Sequence, residues 1–343
     1  MTDLFTPYQL KGLTLKNRVV LPPMCQYSVE KKDGIATEWH YVHYVSRAVG
    51  GAGLIIIEMT DIEPDGRTTD FDLGLRSDEQ IPPLARIVEA AHQYGAKVGI
   101  QIAHAGRKAE DAAVPVAPSA IPFNAQSKTP KALSTDEIKQ LVEKFRLAVR
   151  RAVKAGFDTI EIHGAHGYLI HQFQSPYTNH RTDEYGKDLP KFGREVIQAV
   201  KSELPGNMPL ILRISAKEYV EGGYGIKESI AFSKEYQKAG VDIFHVSSGG
   251  EGPIGGDGKP GTHAGYQLPL AREIKEALNV PVIAVGKLEE PQLANAVIGN
   301  EEADLVAVGR GQLRNPYWTL EAAVKLNKKT NIPVQYAYGF PRM

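Results

Sequence analysis

Two histidines and a tyrosine stand close together in the chain, and all three are hydrogen-bond donors. His163 and His166 have the spacing of a loose metal pair, but no third ligand is obvious nearby, so no metal is expected. Two imidazoles that donate to one carbonyl or phenolate oxygen fit better, because Gly164 and Gly167 allow the chain to bend until both rings converge. The phenol of Tyr168 is then placed to act as a general acid.

A second group of residues predicts a phosphate site. Gly286 ends one apolar run, and Gly309 with Arg310 ends the next. Backbone N–H groups at such turns bind phosphate, and a guanidinium adds a charge-assisted contact. Plain turns would explain the glycines alone but not the glycine followed by arginine.

Other apolar runs also end in, or contain, polar side chains. These residues are Cys25, Gln101, His104, Arg213, Ser247 and Ser248. A polar side chain inside an apolar strand is costly to bury unless it is paired. Hydrogen-bonded core groups would explain any one of them, but their recurrence at several strand ends indicates a shared site.

The elements that must position these groups are short β-branched runs that alternate with amphipathic stretches. Eight runs are predicted to be strands: Arg18–Pro23, Gly53–Met59, Lys97–His104, Thr159–His166, Leu210–Ala216, Asp242–Gly249, Pro281–Gly286 and Leu305–Arg310. They are almost continuously apolar, which is typical of parallel strands buried on both faces. Eight strands, each followed by helix-like sequence, predict an α/β fold, a TIM (β/α)8 barrel, in one domain over residues 1–343. The polar strand ends would then meet at the carboxyl-terminal face, where barrels carry their active sites.

One helix and two long connections stand out along the chain. A capping box and a regular apolar stripe predict a helix from Ser134 to about Ala155, which Gly156 terminates. The connections Ala105–Leu133 and Gly167–Phe192 are too long for simple turns after a strand. Because both follow strands, we expect them to cover the site, the first as a cap over about residues 105–133.

Composition excludes several functional classes. Lys plus Arg and Asp plus Glu each number 40, so the net charge is zero, and we expect neither a nucleic-acid partner nor a membrane partner. No apolar run approaches a membrane span, and no signal-peptide core is visible, so a cytoplasmic enzyme is expected. The single cysteine excludes an internal disulfide and a Cys-ligated iron–sulfur cluster.

The sequence contains no dinucleotide-binding fingerprint. No Gly-x-Gly-x-x-Gly opens a helix after a strand, and the stretch Gly249–Gly258 contains Pro253 and precedes a loop. If the protein is a redox enzyme, its nicotinamide is not held in a Rossmann fold. Bound FMN that is visited by NADPH or NADH would account for both the phosphate site and this absence.

Four segments in this order resemble the Old Yellow Enzyme family, specifically its bacterial, thermophilic-like subclass of NADPH dehydrogenases. They read LFTPYQLKGLTLKNRVVLPPMCQYS, GIQIAHAGRKA, IEIHGAHGYLIHQFQSPYTNHRTDEYG and AVGRGQLRNPYW. The resemblance covers nearly the whole chain and implies an FMN-dependent ene-reductase. Such an enzyme takes hydride from NAD(P)H and passes it to activated C=C bonds in enones, enals, maleimides and possibly nitro compounds.

The resemblance also implies a role for each site residue. The expected FMN-binding set, to which the phosphate turn adds Gly286, is Pro22, Pro23, Met24, Cys25, Met59, Gln101, Arg213, Gly286, Gly309 and Arg310. Cys25 is expected to tune the flavin potential, and Arg213 to stabilise negative charge on reduced flavin. His163 and His166 would clamp the substrate oxygen, Tyr168 would protonate the alkene, and Tyr27 would line the substrate pocket.

The chain departs from the family pattern in two places. The segment KDLPKFGRE after Gly186 lacks the family's usual Gly-Ser and Asn-Arg-x-Arg pattern, with little consequence because it begins a peripheral helix. The subclass also ends in Gln-Tyr-Glu-Arg plus an aromatic residue, and that arginine enters a neighbour's active site. Here Tyr338 stands at the arginine position, with Arg342 further along the C-terminal tail of residues 333–343. The resemblance implies a homodimer or homotetramer with tail-mediated shared sites, in which Tyr338 contacts substrate or Arg342 supplies the charge. The alternative is that Tyr336, Tyr338 and Phe340 pack on their own barrel.

Two other functional classes remain open from the sequence. A TIM-barrel lyase or isomerase of a phosphorylated substrate would share the phosphate site but would need no flavin. A non-catalytic binding protein would leave the polar strand ends unexplained.

Overall fold

The computed structural model describes residues 2–252 and 260–340. Its thirteen strands are β1 (Tyr8–Leu10), β2 (Leu13–Leu15), β3 (Val19–Leu21), β4 (Leu54–Asp61), β5 (Leu73–Gly74), β6 (Lys97–Ala103), β7 (Val116–Ala117), β8 (Lys131–Ala132), β9 (Thr159–Gly164), β10 (Leu210–Ser215), β11 (Ile243–Ser247), β12 (Val282–Val285) and β13 (Leu305–Ala307). The predicted residues Pro253, Gly258 and Arg342 lie outside the described ranges.

Eight of these strands close into a parallel barrel in the order β3-β4-β6-β9-β10-β11-β12-β13. Closure comes from β3, which pairs with β13 through Val20 and Ala307 and with β4 through Leu21 and Ile55. The predicted (β/α)8 barrel is therefore confirmed, and each predicted run overlaps one barrel strand.

Helices surround the barrel and connect its strands. They are α1 (Glu38–Val49), α2 (Ile81–Gln93), α3 (Thr135–Lys154), α4 (Leu169–Gln174), α5 (Glu184–Lys187), α6 (Lys191–Lys201), α7 (Ile226–Ala239), α8 (Leu268–Leu278), α9 (Pro291–Gly299), α10 (Arg310–Arg314) and α11 (Trp318–Lys325). Four short 3-10 helices lie at Pro64–Gly66, Asp78–Gln80, Gly106–Lys108 and Val334–Gly339. Among the described residues, no helix is both long and apolar enough to cross a membrane.

Alternation along each barrel strand separates two apolar layers. In β10, Leu210, Leu212 and Ile214 point outward and pack against the helices. Ile211 points inward and joins an inner cluster with Ile243. The antiparallel hairpin β1–β2 closes the amino-terminal end of this inner cluster. Further along the strands the inward positions become polar, and they lead to the functional site.

The predicted helix after residue 134 is confirmed as α3. The Ser134 hydroxyl accepts a hydrogen bond from the Glu137 N–H, and the Glu137 carboxylate accepts one from the Ser134 N–H, which makes a capping box. Gly156 follows with φ +87°, the left-handed conformation that glycine adopts most easily.

The structure differs from the sequence prediction at the strand ends and in one connection. Arg310 is not in the eighth strand but begins α10, because β13 ends at Ala307. The first long connection contains the small pair β7–β8. The second contains α4, whose residues are all buried, so that this segment packs into the fold as well as bordering the site.

Candidate active site

A cavity of about 200 Å³ opens at the carboxyl-terminal face of the barrel. Seven predicted FMN-binding residues line it: Pro22, Pro23, Met24, Arg213, Gly286, Gly309 and Arg310. They come from the ends of β3, β10, β12 and β13, which closure of the barrel brings together. The structure therefore gathers into one cavity residues that lie almost 290 positions apart in the chain.

Arg213 is the feature of this cavity that most needs a ligand. It points inward from β10, and its Nε has no hydrogen-bond partner among the described residues. Burial lowers its pKa, although the nearby carboxylate of Glu161 opposes that shift. An unpartnered, buried guanidinium is costly. A bound group with acceptor atoms, such as the pyrimidine edge of FMN, would satisfy it, so the residues present fit this cofactor.

The other end of the cavity fits a phosphate. Gly286 has φ +128°, and a Cβ there would lie 3.1 Å from the Gln267 amide nitrogen, so a side chain would be strained. Arg310 is exposed and lines the cavity, and no described carboxylate forms an ion pair with it. Because α10 has only five residues, its dipole adds little, and the Arg310 charge together with backbone N–H groups would hold the phosphate.

Cys25 and Met59 lie at the opposite end of the site, where both pack near Tyr168 in one small apolar cluster. Burial raises the pKa of the Cys25 thiol, with further contributions from the carboxylates of Asp72 and Glu58. The thiol therefore stays protonated at neutral pH and is a poor nucleophile.

The rings of His163, His166 and Tyr168 converge as the sequence predicts. The His163 centroid lies 5.2 Å from that of His166 and 4.6 Å from that of Tyr168, both in edge-on geometry. The Ala165 N–H donates to Nδ1 of His163 across 3.2 Å. A neutral His163 must then carry its proton on Nε2, which is a free donor.

His166 sits in a strained turn that three hydrogen bonds hold. Its φ is +59°, and Gly167 follows at +74°. The His166 N–H donates to Oγ of Ser215 across 3.0 Å, and Nζ of Lys108 donates to the His166 carbonyl across 2.7 Å. Nε2 lies 2.8 Å from Oγ of Ser247, which leaves Nδ1 as the ring nitrogen without a described partner.

Electrostatics keep both imidazoles neutral and the phenol protonated. Burial lowers the pKa of His163 and of His166 well below the usual value, and the positive charge of Arg213 lowers both further. Burial likewise raises the pKa of Tyr168, whose hydroxyl lies 3.4 Å from Oγ1 of Thr68. At neutral pH the site therefore presents neutral donors.

A second cavity, of about 530 Å³, lies between Tyr168 and the cap. Thr68, Lys108, Phe123 and Lys128 are among the side chains that line it. Nζ of Lys108 lies 4.3 Å from the Phe123 ring centroid, and burial lowers the pKa of Lys108 to about 8. The cavity is large enough for a small organic substrate. Sequence reasoning missed Lys108, although it lies within the GIQIAHAGRKA segment.

Gln101 lies in the barrel interior and is hydrogen-bonded to Glu161, a residue that the sequence analysis overlooked. Nε2 of Gln101 donates to Oε1 of Glu161 across 2.7 Å. Oε2 of Glu161 lies 2.7 Å from Nδ1 of His245. Glu161 and His245 each precede a predicted site residue by two positions, a spacing that puts them on the same face of their strands.

A buried ionisable cluster supports the His166–Gly167 turn from behind. Nδ1 of His171 accepts a hydrogen bond from the Gly167 N–H across 2.8 Å, and Nε2 lies 2.9 Å from Glu218. Glu251 lies 3.4 Å from the same imidazole and 3.1 Å from Arg107. His171, Glu218 and Glu251 are the one His/Cys/Asp/Glu group with metal-like spacing in residues 2–252 and 260–340.

Of the two other predicted substrate contacts, Tyr27 lies beside Cys25. About half of its side chain is exposed, its φ is +51°, and partial burial, followed by the influence of Cys25, raises its pKa to about 12. Tyr338 is fully exposed and contacts neither cavity of its own chain. Tyr336 instead packs edge-on against Tyr317 at 5.4 Å.

Relatives of known activity match the chain over its full length. It is 48% identical over 340 residues to an NADPH dehydrogenase of Listeria innocua. The alignment covers 98% of this chain and 99% of that protein. The chain is 46% identical over 346 residues to an NADPH dehydrogenase of Bacillus subtilis, at the same coverage. Such relatives make this protein an oxidoreductase.

Solved structures show the same architecture. Morphinone reductase superposes with a TM-score of 0.80 at 30% identity, over 96% of this chain and 91% of that one. A 2-naphthoyl-CoA reductase complex gives a TM-score of 0.86 at 23% identity, over 95% of this chain and 52% of that one, and supports the fold alone.

A family model confirms the resemblance and the cofactor. The model of the NADH:flavin oxidoreductase / NADH oxidase family matches residues 3–329. FMN is accordingly the cofactor, with NAD(P)H as the reductant. The chain belongs to this flavin oxidoreductase family, the Old Yellow Enzyme family.

Proposed function

We propose that the protein is an ene-reductase in which one FMN-binding barrel domain reduces activated C=C bonds of small electrophilic alkenes. Bound FMN supplies a carrier that accepts hydride from NAD(P)H and passes it to the alkene. The ten residues of the expected FMN-binding set would hold the cofactor, with Arg213 at its pyrimidine edge and Arg310 at its phosphate.

In this proposal the histidines bind the substrate oxygen. Nε2 of His163 and Nδ1 of His166 would donate to a carbonyl or nitro oxygen and withdraw charge from the conjugated alkene, with Nε2 of His166 accepting from the Ser247 hydroxyl. The β-carbon then becomes a better hydride acceptor, and Tyr168 donates its phenolic proton to the α-carbon. The Lys108 ammonium adds positive charge close to this oxygen through its contact with the His166 carbonyl.

The observation that carries the proposal is the convergence of two neutral imidazoles and one protonated phenol on one side of the FMN cavity. A lyase or isomerase acting on a phosphorylated substrate would use the phosphate turn, but it would leave the buried Nε of Arg213 without a partner. A homo-oligomer with tail-mediated sites and a cytoplasmic location remain predictions.

Replacement of Tyr168 by Phe tests the proposed proton donor. We expect the reoxidation of the reduced enzyme by an enone to slow by about 10²–10⁴-fold, because only this half-reaction needs the phenolic proton. Flavin reduction by NADPH should be nearly unchanged. Stopped-flow absorbance measures the two half-reactions separately, and Tyr94→Phe, at an exposed tyrosine after α2, is the matched control.

The pH dependence gives an independent check of the same role. Because burial raises the pKa of Tyr168, the wild-type phenol keeps its proton between about pH 6 and 9, and the enone half-reaction should not decline there through loss of that proton. Equal slowing of both half-reactions in Tyr168→Phe would remove Tyr168 from the proton-donor role.

A further inference from the structure

Glu161 is a fully buried carboxylate in the interior of the barrel, next to the residues expected to hold FMN. It points inward from β9, two residues before His163, and its strand neighbour Gln101 is aligned with it in register. Arg213 and His245 are aligned with each other on the next two strands, β10 and β11. Four polar side chains thus share the interior just below the cavity.

The hydrogen bonds of Glu161 fix the orientation of the Gln101 amide. An ionised carboxylate only accepts hydrogen bonds, so the group that faces it across 2.7 Å must be the NH₂ of Gln101. The amide oxygen, Oε1, is therefore turned away from Glu161, and no described residue donates to it. His245, 2.7 Å from the other carboxylate oxygen, must for the same reason carry its proton on Nδ1.

Glu161 also shares an inward face with Arg213. It is in register with Ile211, two residues before Arg213 on the neighbouring strand, and its carboxylate opposes the lowering of the Arg213 pKa that burial causes. Burial lowers the pKa of His245. A negative charge gained by a ligand of Arg213 would therefore lie close to the Glu161 carboxylate as well.

We propose that Glu161 is a positioning residue of the flavin site, which presents Gln101 Oε1 as an acceptor to FMN and offsets the charge of Arg213. The oxidised isoalloxazine has an imide N–H that such an acceptor would recognise, whereas the reduced form carries negative charge that Arg213 stabilises and Glu161 opposes. Glu161 would then strengthen FMN binding and hold its reduction potential down. This inference depends on the proposed placement of FMN against Gln101 and Arg213.

Replacement of Glu161 by Gln separates these contributions in the holoenzyme. The carboxamide keeps one of the two acceptor oxygens that Gln101 and His245 use, replaces the other with an NH₂ donor, and has no charge. We expect oxidised FMN to bind about tenfold more weakly. We also expect the ratio of reduced to oxidised affinity to rise about tenfold, which for a two-electron couple raises the midpoint potential by about 30 mV. Fluorescence titration with FMN and dye-coupled potentiometry measure the two quantities.

Two further variants keep the charge and alter the geometry. Glu161→Asp shortens the side chain, and Gln101→Leu removes the amide, so both should weaken FMN binding while leaving the potential near that of the wild type. They also carry the test if Glu161→Gln does not fold. Asp61→Asn is the matched control, because Asp61 is an equally buried carboxylate on β4 that pairs with Arg76 instead.

The results test the role of Glu161 separately from the proposed placement of FMN. A potential in Glu161→Gln that equals that of Asp61→Asn, or lies below it, would overturn the counter-charge role. Unchanged FMN affinity in Glu161→Asp and Gln101→Leu would overturn the positioning role. If instead Arg213→Leu left FMN binding unaltered, the placement of the cofactor itself would be wrong.

Discussion

At the scale of single residues, a backbone hydrogen bond determines which ring nitrogen of His163 carries the proton. The Ala165 N–H occupies Nδ1, so the proton of the neutral ring must lie on Nε2. Because burial lowers the pKa of both His163 and His166, neither ring gains a proton as the pH falls from about 8 to 6. The pair therefore provides neutral donors over this pH range.

Removal of both imidazoles should abolish the binding of phenolic ligands over the flavin. We expect p-hydroxybenzaldehyde to give a long-wavelength charge-transfer band with the oxidised wild-type enzyme, because two N–H donors stabilise the phenolate. The variant His163→Ala/His166→Ala should lack the band and show a higher KM for enones. His180→Ala, at an exposed histidine, is the control, and a band of full intensity in the double variant would remove the histidines from the clamp.

Much of the candidate site could be predicted from single residues, and the exceptions have a common cause. His163, His166 and Arg310 stand out because polar groups at the ends of apolar strands are visible in the sequence itself, and Arg213 because it is a guanidinium inside an apolar strand. Glu161 and His245 are no less polar, but each lies in mid-strand, and its importance depends on a partner about 60 or 84 positions away. Such contacts arise only from the strand order of the closed barrel.

At the scale of elements, the turn after β9 depends on the loop after β11. Gly250, with φ +95°, packs directly against this turn, and a Cβ at Gly250 would lie 2.5 Å from the Cα of His166. Gly249, with φ +73°, has only ordinary contacts, the nearest at 3.6 Å from Pro260. The two neighbouring glycines thus have similar conformations, but only Gly250 lies close to the His166 backbone.

Gly250→Ala should therefore impair catalysis while Gly249→Ala should not. Both changes place a side chain at positive φ, which costs about 1–2 kcal/mol of stability. Only Gly250→Ala displaces His166, and a shift of this size should lower kcat/KM for an enone by about 10–100-fold with FMN retained. Steady-state kinetics and thermal unfolding of the two variants measure both effects, and similar kcat/KM values would show that the turn tolerates displacement.

Element boundaries mark the limit of sequence-based prediction in this fold. The eight barrel strands and α3 are predicted because their apolar periods are local properties of the chain. The hairpin β1–β2 and the buried helix α4 are not. The strands β1 and β2 are interrupted by polar residues, whereas the equally short β3 and β13 are continuously apolar, and the six residues of α4 are too few to show a period. Their stability comes from packing against the barrel, which only the folded chain reveals.

At the scale of the whole molecule, most of the described residues of the C-terminal tail, 333–340, are exposed on their own subunit. Val334 and Tyr338 are largely exposed, and Tyr336 contacts Tyr317 near the chain surface. Exposed aromatic side chains on a tail are typical of segments that a partner covers.

Deletion of the residues after Gln335 tests whether the tail completes a neighbour's site. We expect the truncated enzyme to lose oligomer stability and enone turnover together, while it retains FMN, because Arg213 and Arg310 are untouched. Sedimentation velocity, turnover and flavin absorbance measure the three properties. Tyr94→Phe in the full-length chain serves as the surface control, and unchanged assembly and kinetics in the truncated chain would limit the tail to covering its own subunit.

Closure of the barrel implies that the chain can be circularly permuted. β3 pairs with β13, and Nζ of Lys328 lies 2.7 Å from a carboxylate oxygen of Asp3, so the two ends of the barrel unit already touch. A short linker from Lys328 to Asp3 would make the backbone a ring, which could be opened at Gly206, an exposed turn where a Cβ would meet nothing within 4 Å. We expect this circular permutant to fold and to bind FMN as tightly as the tail-truncated enzyme. Loss of FMN binding in soluble permutant would instead mean that the site forms only when β3 precedes the other strands.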